Sequence, residues 1–212
     1  MMRRIIICIV VTILTIPAFA QFESNRQRSR YNHQDTQYYY GLRLGLNVAT
    51  MSSDSPAFDT KSRSGLVLGG VYGHQLSKST PLWLEVGLLY SEKGGEVHIN
   101  NDKITYRMSY LQLPIVVKYN FDVDDDFFVQ PFFGGYLALG LGGKTKDYAE
   151  RESWATFDDM NRFDGGLRLG CGVEYKMMYA ELGYDLGLAN IAQNDFNSTR
   201  TRSFFFNVGV NF

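Results

Sequence analysis

Between Tyr40 and the C-terminal Phe212, large apolar residues return again and again at every second position. That is the period at which strand side chains come back to one face, and it rules out helices for most of the chain. The first run sets Leu42, Leu44, Leu46 and Val48 against Gly41, Arg43, Gly45 and Asn47. Eight such segments follow one another: Tyr40 to Ala49, Gly65 to Leu76, Leu82 to Ser91, Tyr106 to Tyr119, Phe127 to Leu141, Phe163 to Tyr175, Met178 to Leu188 and Phe204 to Phe212. The second is the least regular, because Val67 and Val71 interrupt its polar phase; Trp83 and Leu89 do the same in the third.

The two faces differ in kind. One carries rows of Leu, Val, Phe and Tyr, and the other carries Gly with Arg43, Glu85, Lys118, Arg168, Glu174, Glu181 and Asp185. In a soluble sandwich or lipocalin-like barrel the apolar face points inward, where it must meet large residues from other strands. Small and charged groups suit a crowded interior better, with the apolar rows turned to lipid. The expected fold is therefore all-β, an eight-stranded antiparallel transmembrane β-barrel. Eight strands enclose a space that side chains fill, whereas aqueous pores need about sixteen. Because Trp83, Phe132 and Tyr136 share the inner phase with the charges, a plugged polar lumen is expected.

The N-terminus states how such a chain would reach a membrane. Arg3 and Arg4 precede an apolar run from Ile5 to Ile16, then Pro17 and the small-residue triplet Ala18-Phe19-Ala20. This reads as a signal peptide over residues 1–20, cleaved after Ala20, because the run is shorter than the roughly 20 residues a membrane helix needs. No later stretch is long and apolar enough for such a helix. Cys8 lies within the run rather than after the cleavage site, which argues against lipid anchoring. Only Cys171 would remain, so no intramolecular disulfide is available. Residues 21–38 are polar and read as a flexible periplasmic tail, leaving 39–212 for the barrel. A net charge of −1 gives no electrostatic reason to expect a nucleic-acid partner.

The intervals between segments alternate long and short. Met51–Ser64, Glu92–Thr105, Gly142–Arg162 and Ala189–Ser203 are long; Ser77–Pro81, Asn120–Asp126 and Lys176–Met177 are short. Outer-membrane barrels have short periplasmic turns and longer external loops, which puts both termini in the periplasm. Tyr40, Tyr119, Phe127, Tyr175 and Phe212 then fall at one end in the lipid-facing phase, as an aromatic girdle would. A two-residue loop at Lys176 and Met177 pairs Tyr175 with Met178 and, counting back, sets Arg168 opposite Asp185.

The runs Gly41-Leu-Arg-Leu-Gly-Leu-Asn-Val-Ala-Thr50 and Tyr110-Leu-Gln-Leu-Pro-Ile-Val-Val-Lys-Tyr119, the segment Phe128-Val-Gln-Pro-Phe-Phe-Gly-Gly135 and the Phe-terminated last strand resemble the PorT-like family of outer-membrane β-barrels. These proteins are common in Bacteroidota and often labelled "porin family". The resemblance covers nearly the whole mature chain and implies a barrel in the outer membrane. It also implies that the strand ending in Phe212 is read by the barrel-insertion machinery. The named member assists a secretion system, so a secretion-system or envelope protein is an implied partner.

No pattern for chemistry accompanies the fold. His33, His74 and His98 have no metal-ligand spacing, and Asp122, Asp124, Asp125 and Asp126 lack the Gly and terminal Glu of a calcium loop. Ser91 and Ser109 lie near segment ends, but no histidine can be tied to either as a base. No enzyme, cofactor or metal is expected. The longest interval mixes charge with aromatics at Lys144, Lys146, Tyr148, Arg151, Trp154, Phe157 and Asp158, as binding surfaces do. The function expected is structural or binding, through external loops and in contact with outer-membrane lipids. An accessory subunit of a secretion or gliding machinery is the alternative, and an outer-membrane lipid-modifying enzyme the third reading.

Overall fold

A computed structural model describes residues 37–53, 59–77, 79–99, 102–124, 126–147, 153–158, 161–191 and 199–212. Its strands are β1 (Tyr38–Ser53), β2 (Asp59–Ser77), β3 (Thr80–Ile99), β4 (Asp102–Tyr119), β5 (Phe121–Asp124), β6 (Phe127–Asp147), β7 (Ser153–Ala155), β8 (Phe163–Tyr175), β9 (Met178–Gly187) and β10 (Thr199–Asn211). β5 and β7, four and three residues long, are short additions to β6. The other eight form an antiparallel ring in the order β4-β3-β2-β1-β10-β9-β8-β6, closed by the β4–β6 pairing.

The register carries one phase of the alternation all the way round. Leu44 pairs with Leu68 and Val208, Val86 with Tyr72 and Ile115, and Leu169 with Phe133 and Tyr184. A slip of one residue would turn a whole strand inside out, so the bare outer rows and the packed inner rows fix the register together. The outer rows are open: Leu44 is 48% exposed, Leu137 49% and Leu169 46%. Inside, the valines and aromatics that broke the polar phase find one another. Tyr39, Val67, Val71, Trp83 and Leu89 form one buried cluster, and Val116, Phe132 and Phe205 another.

Most strands outrun their apolar alternation, which corrects the expectation of four long loops. β3 continues to Ile99 and β4 begins at Asp102, so the interval Glu92–Thr105 is almost entirely paired; Met51–Ser64, Gly142–Arg162 and Ala189–Ser203 also give residues to the ladder. Backbone pairing needs no apolar alternation, so the period-two signal stops while the hydrogen bonds go on. β6, at 21 residues, is about 70 Å long, whereas 9–11 tilted residues cross a bilayer. Lys176 and Met177 make the two-residue turn between β8 and β9, with Lys176 at φ 57°. Arg168 accordingly sits opposite Asp185.

Candidate functional site

The inner face of the ring holds the charged residues, and they meet at three levels. At the level where β1 begins and β10 ends, Glu85 on β3 is a hub. Its Oε2 accepts from Lys118 Nζ at 2.7 Å, the Tyr39 hydroxyl at 2.5 Å and Arg43 Nη2 at 3.3 Å. Lys118 also donates to the Tyr179 hydroxyl at 2.7 Å, which donates to Glu181 at 2.9 Å; Asn207 supplies Glu181 with a second bond at 2.7 Å. Arg43 stacks 4.0 Å over the Tyr179 ring and donates to Asn211 at 2.8 Å. Asn211 and Gln130 in turn donate to Glu174, at 2.8 Å and 3.0 Å. The network draws on β1, β3, β4, β6, β8, β9 and β10, every strand of the ring except β2.

Such groups tolerate burial only in company, because a buried ion without partners costs several kcal/mol. Arg43 and Lys118 are each 1% exposed, and Glu85 5%. One level up, Arg168 Nε lies 3.5 Å from Asp185 Oδ1 while Gln112 donates to Asp185 Oδ2 at 2.8 Å. The Arg168 guanidinium covers the Phe205 ring at 3.9 Å, and Phe205 stacks on Phe132 at 6.4 Å. At the third level Lys93 Nζ is 3.3 Å from Asp164 and 4.1 Å from the Tyr136 ring centre, and Thr201 donates to Asp164 at 2.7 Å. Sequence reasoning missed Lys93 and Asp164. Lys93 shares the phase of Glu85, and Asp164 that of Arg168, so extending the alternation past the apolar segment would have found the first.

Phe157 is a correction. Expected on an external binding surface, it is 6% exposed, edge-on to Tyr110 at 5.8 Å and packed with Met108, Tyr136, Ala138 and Ile191. The 3-10 turn Thr156–Asp158 turns it into the mouth of the ring, and β7 anchors that turn by pairing with β6. Gly140 has to be glycine there, because a Cβ would collide with the Phe157 ring. The Trp154 backbone pairs with Thr145; Tyr148 and Arg151 lie outside the described residues.

At the end of the ring where β1 begins and β10 ends, Tyr40, Tyr119, Tyr175 and Phe212 are exposed and Phe127 is half-buried. Tyr38, Tyr72 and Phe121, not singled out from the sequence, join them, with Tyr40 against Tyr72 at 5.3 Å and Tyr119 against Phe121 at 4.5 Å. Ser91 accepts from Asn47 at 2.7 Å and Ser109 is bonded to the Tyr90 hydroxyl at 2.9 Å. Among the described residues, no group of three or more His, Cys, Asp or Glu is placed to share a metal ion. His33 lies outside them.

A closed ring with a bare apolar exterior and buried charges inside accords with the family comparison. The family described as outer membrane protein beta-barrel domain matches residues 13–193. This chain belongs to that family. No curated protein matches the chain. Solved structures that resemble it include OprG from Pseudomonas aeruginosa, at 13% identity and TM-score 0.48 over 82% of this chain and 95% of that one. Neisserial surface protein A matches at 16% identity and TM-score 0.45, over 83% and 96%. Ail, the attachment invasion locus protein of Yersinia pestis, matches at 11% identity and TM-score 0.43, over 84% and 100%. In an outer-membrane β-barrel the exposed Leu, Val and Phe rows face hydrocarbon.

Proposed function

We propose that this outer-membrane barrel is a non-conducting, non-catalytic protein that acts through its rims, in envelope integrity, adhesion or the binding of a partner. The observation that supports this best is the contact across the interior between Glu85, Lys118 and Arg43, with Arg168, Phe205 and Phe132 above them and Phe157 at the mouth. On this reading the polar lumen is plugged and the charges hold the wall closed. The partners of Ser91 and Ser109 favour a role in the wall over a role as nucleophiles. The leader would be cleaved after Ala20, both termini would lie in the periplasm, and the strand ending in Phe212 would guide membrane insertion. The test is conductance: purified protein in planar bilayers is expected to show no stable large steps, and reproducible porin-sized steps would refute the reading.

The second reading is that of an accessory subunit of a secretion or gliding machinery, which the PorT-like runs at Gly41–Thr50 and Tyr110–Tyr119 favour. Cross-linking in intact outer membranes separates the two. Recovery of secretion components supports the accessory role, and a barrel recovered without them supports the free-standing one.

A further inference from the structure

On the outer wall, where β4, β6 and β8 run side by side, an apolar groove of about 550 Å³ lies between Leu113, Ile115, Leu137 and Phe163, with Gly135 and Gly165 as its floor. Through Phe163 and Ala189 it continues into a second groove, of about 470 Å³, edged by Asn161, Arg162 and Asn190. These two glycines are less tightly enclosed than those of the inner face, although a Cβ at either would press on a neighbouring backbone carbonyl oxygen. At inward-facing Gly134 a Cβ would collide with the Ile115 carbonyl, whereas at Gly135 the nearest atom would stand 3.2 Å away and at Gly165 3.3 Å. At Gly142, higher on β6, a Cβ would meet nothing within 4 Å. The furrow is thus open toward lipid along positions that carry no side chain.

Where the furrow leaves the apolar belt its surroundings are cationic. Exposed Arg162 accompanies the Gly140–Tyr110 rung, its carbonyl accepting from the Gly140 amide at 2.6 Å. Three residues further up that ladder, about 10 Å on, Arg107 and Lys144 stand directly opposite each other, both exposed. Like charges so placed destabilise a ladder, and among the described side chains neither has a carboxylate partner. An anion supplied from outside would remove that repulsion. A second barrel docked symmetrically through this face would bring a second copy of the same cations.

We propose that this groove binds one anionic phospholipid, an acyl chain lying over Gly135 and Gly165 and the phosphate headgroup held at the rim by Arg162, Arg107 and Lys144. The inference rests on the membrane location and is independent of whether the barrel conducts. The test is native mass spectrometry of the full barrel released from micelles that contain equal amounts of phosphatidylglycerol and phosphatidylcholine with identical acyl chains. Phosphatidylglycerol is expected to be retained one per barrel, roughly tenfold over phosphatidylcholine. R107Q with K144Q should abolish the preference, and glycerol phosphate without acyl chains should not be retained. Gly135→Leu should abolish retention while the barrel still shows the faster migration of folded protein on unheated gels; if that variant does not fold, Ile115→Trp at the groove wall is read the same way. Equal retention of the two lipids, an undiminished phosphatidylglycerol adduct in a folded groove variant, or barrel dimers in place of lipid adducts would overturn the proposal.

Discussion

Replacing Glu85 by Gln removes one charge from the carboxylate that binds both Lys118 and Arg43 inside the barrel, without changing its size. Glu85 binds Lys118 at 2.7 Å and Arg43 at 3.3 Å, with every partner buried. The variant leaves two cations facing each other with that charge gone, and breaking a buried pair from one side costs about 3–5 kcal/mol. Lys118 keeps its bond to Tyr179 and, through it, a path to Glu181, so the lower end, about 3 kcal/mol, is expected. Equilibrium urea unfolding from phosphatidylcholine vesicles measures this, read by tryptophan fluorescence because Trp83, two residues from Glu85 on β3, is buried against Tyr39 of β1. Adding Lys118→Met to E85Q should recover a large part of the loss, since it removes the stranded ion. A loss below about 1 kcal/mol for E85Q, or a double variant as damaged as the sum of the two singles, would show that this network does not hold the wall together.

Arg168→Ala and Asp185→Ala are each expected to destabilise the barrel more than the two together, because Asp185 and Arg168 are buried directly opposite one another; the same urea titrations measure the coupling. Leu169→Arg, in the exposed row, should cost roughly 2–4 kcal/mol near the bilayer midplane and less toward either interface. Arg at Leu44 tests the row on the other side of the ring, and free tolerance at both positions would mean that these rows do not meet lipid.

The sequence announced its strands where lipid demands it and fell silent where lipid does not. Leu42 to Val48 must alternate because each second residue meets hydrocarbon, so that part of β1 was legible; Ser52 and Ser53 continue the same ladder with nothing in their side chains to show it. The Arg168–Asp185 register followed from the two-residue turn alone, since the ladder then has no freedom left. Val67 and Val71 looked like faults in β2 and are instead its contribution to the interior, beside Trp83 and Leu89. Phe157 was misread for a different reason. An aromatic residue among charged neighbours has the same local pattern whether it faces solvent or folds back. What decides its place is the pairing of Ser153–Ala155 with β6, a contact with no periodic trace. Lys93 and Asp164 lie 71 residues apart, and their meeting depends on the closure of the whole ring.

The central claim is that one face of each strand meets lipid while the other meets neither lipid nor bulk water. Methyl-selective NMR of the barrel in micelles tests it without altering a residue. The methyls of Leu42, Leu44, Leu46 and Val48 are expected to show nuclear Overhauser contacts to detergent acyl chains, while those of buried Val67, Val71, Leu89 and Val116 show contacts to neither acyl chains nor water. Acyl-chain contacts at Val67 or Val116 would contradict the assignment of the faces, and water contacts along those inner methyls would contradict the filled interior.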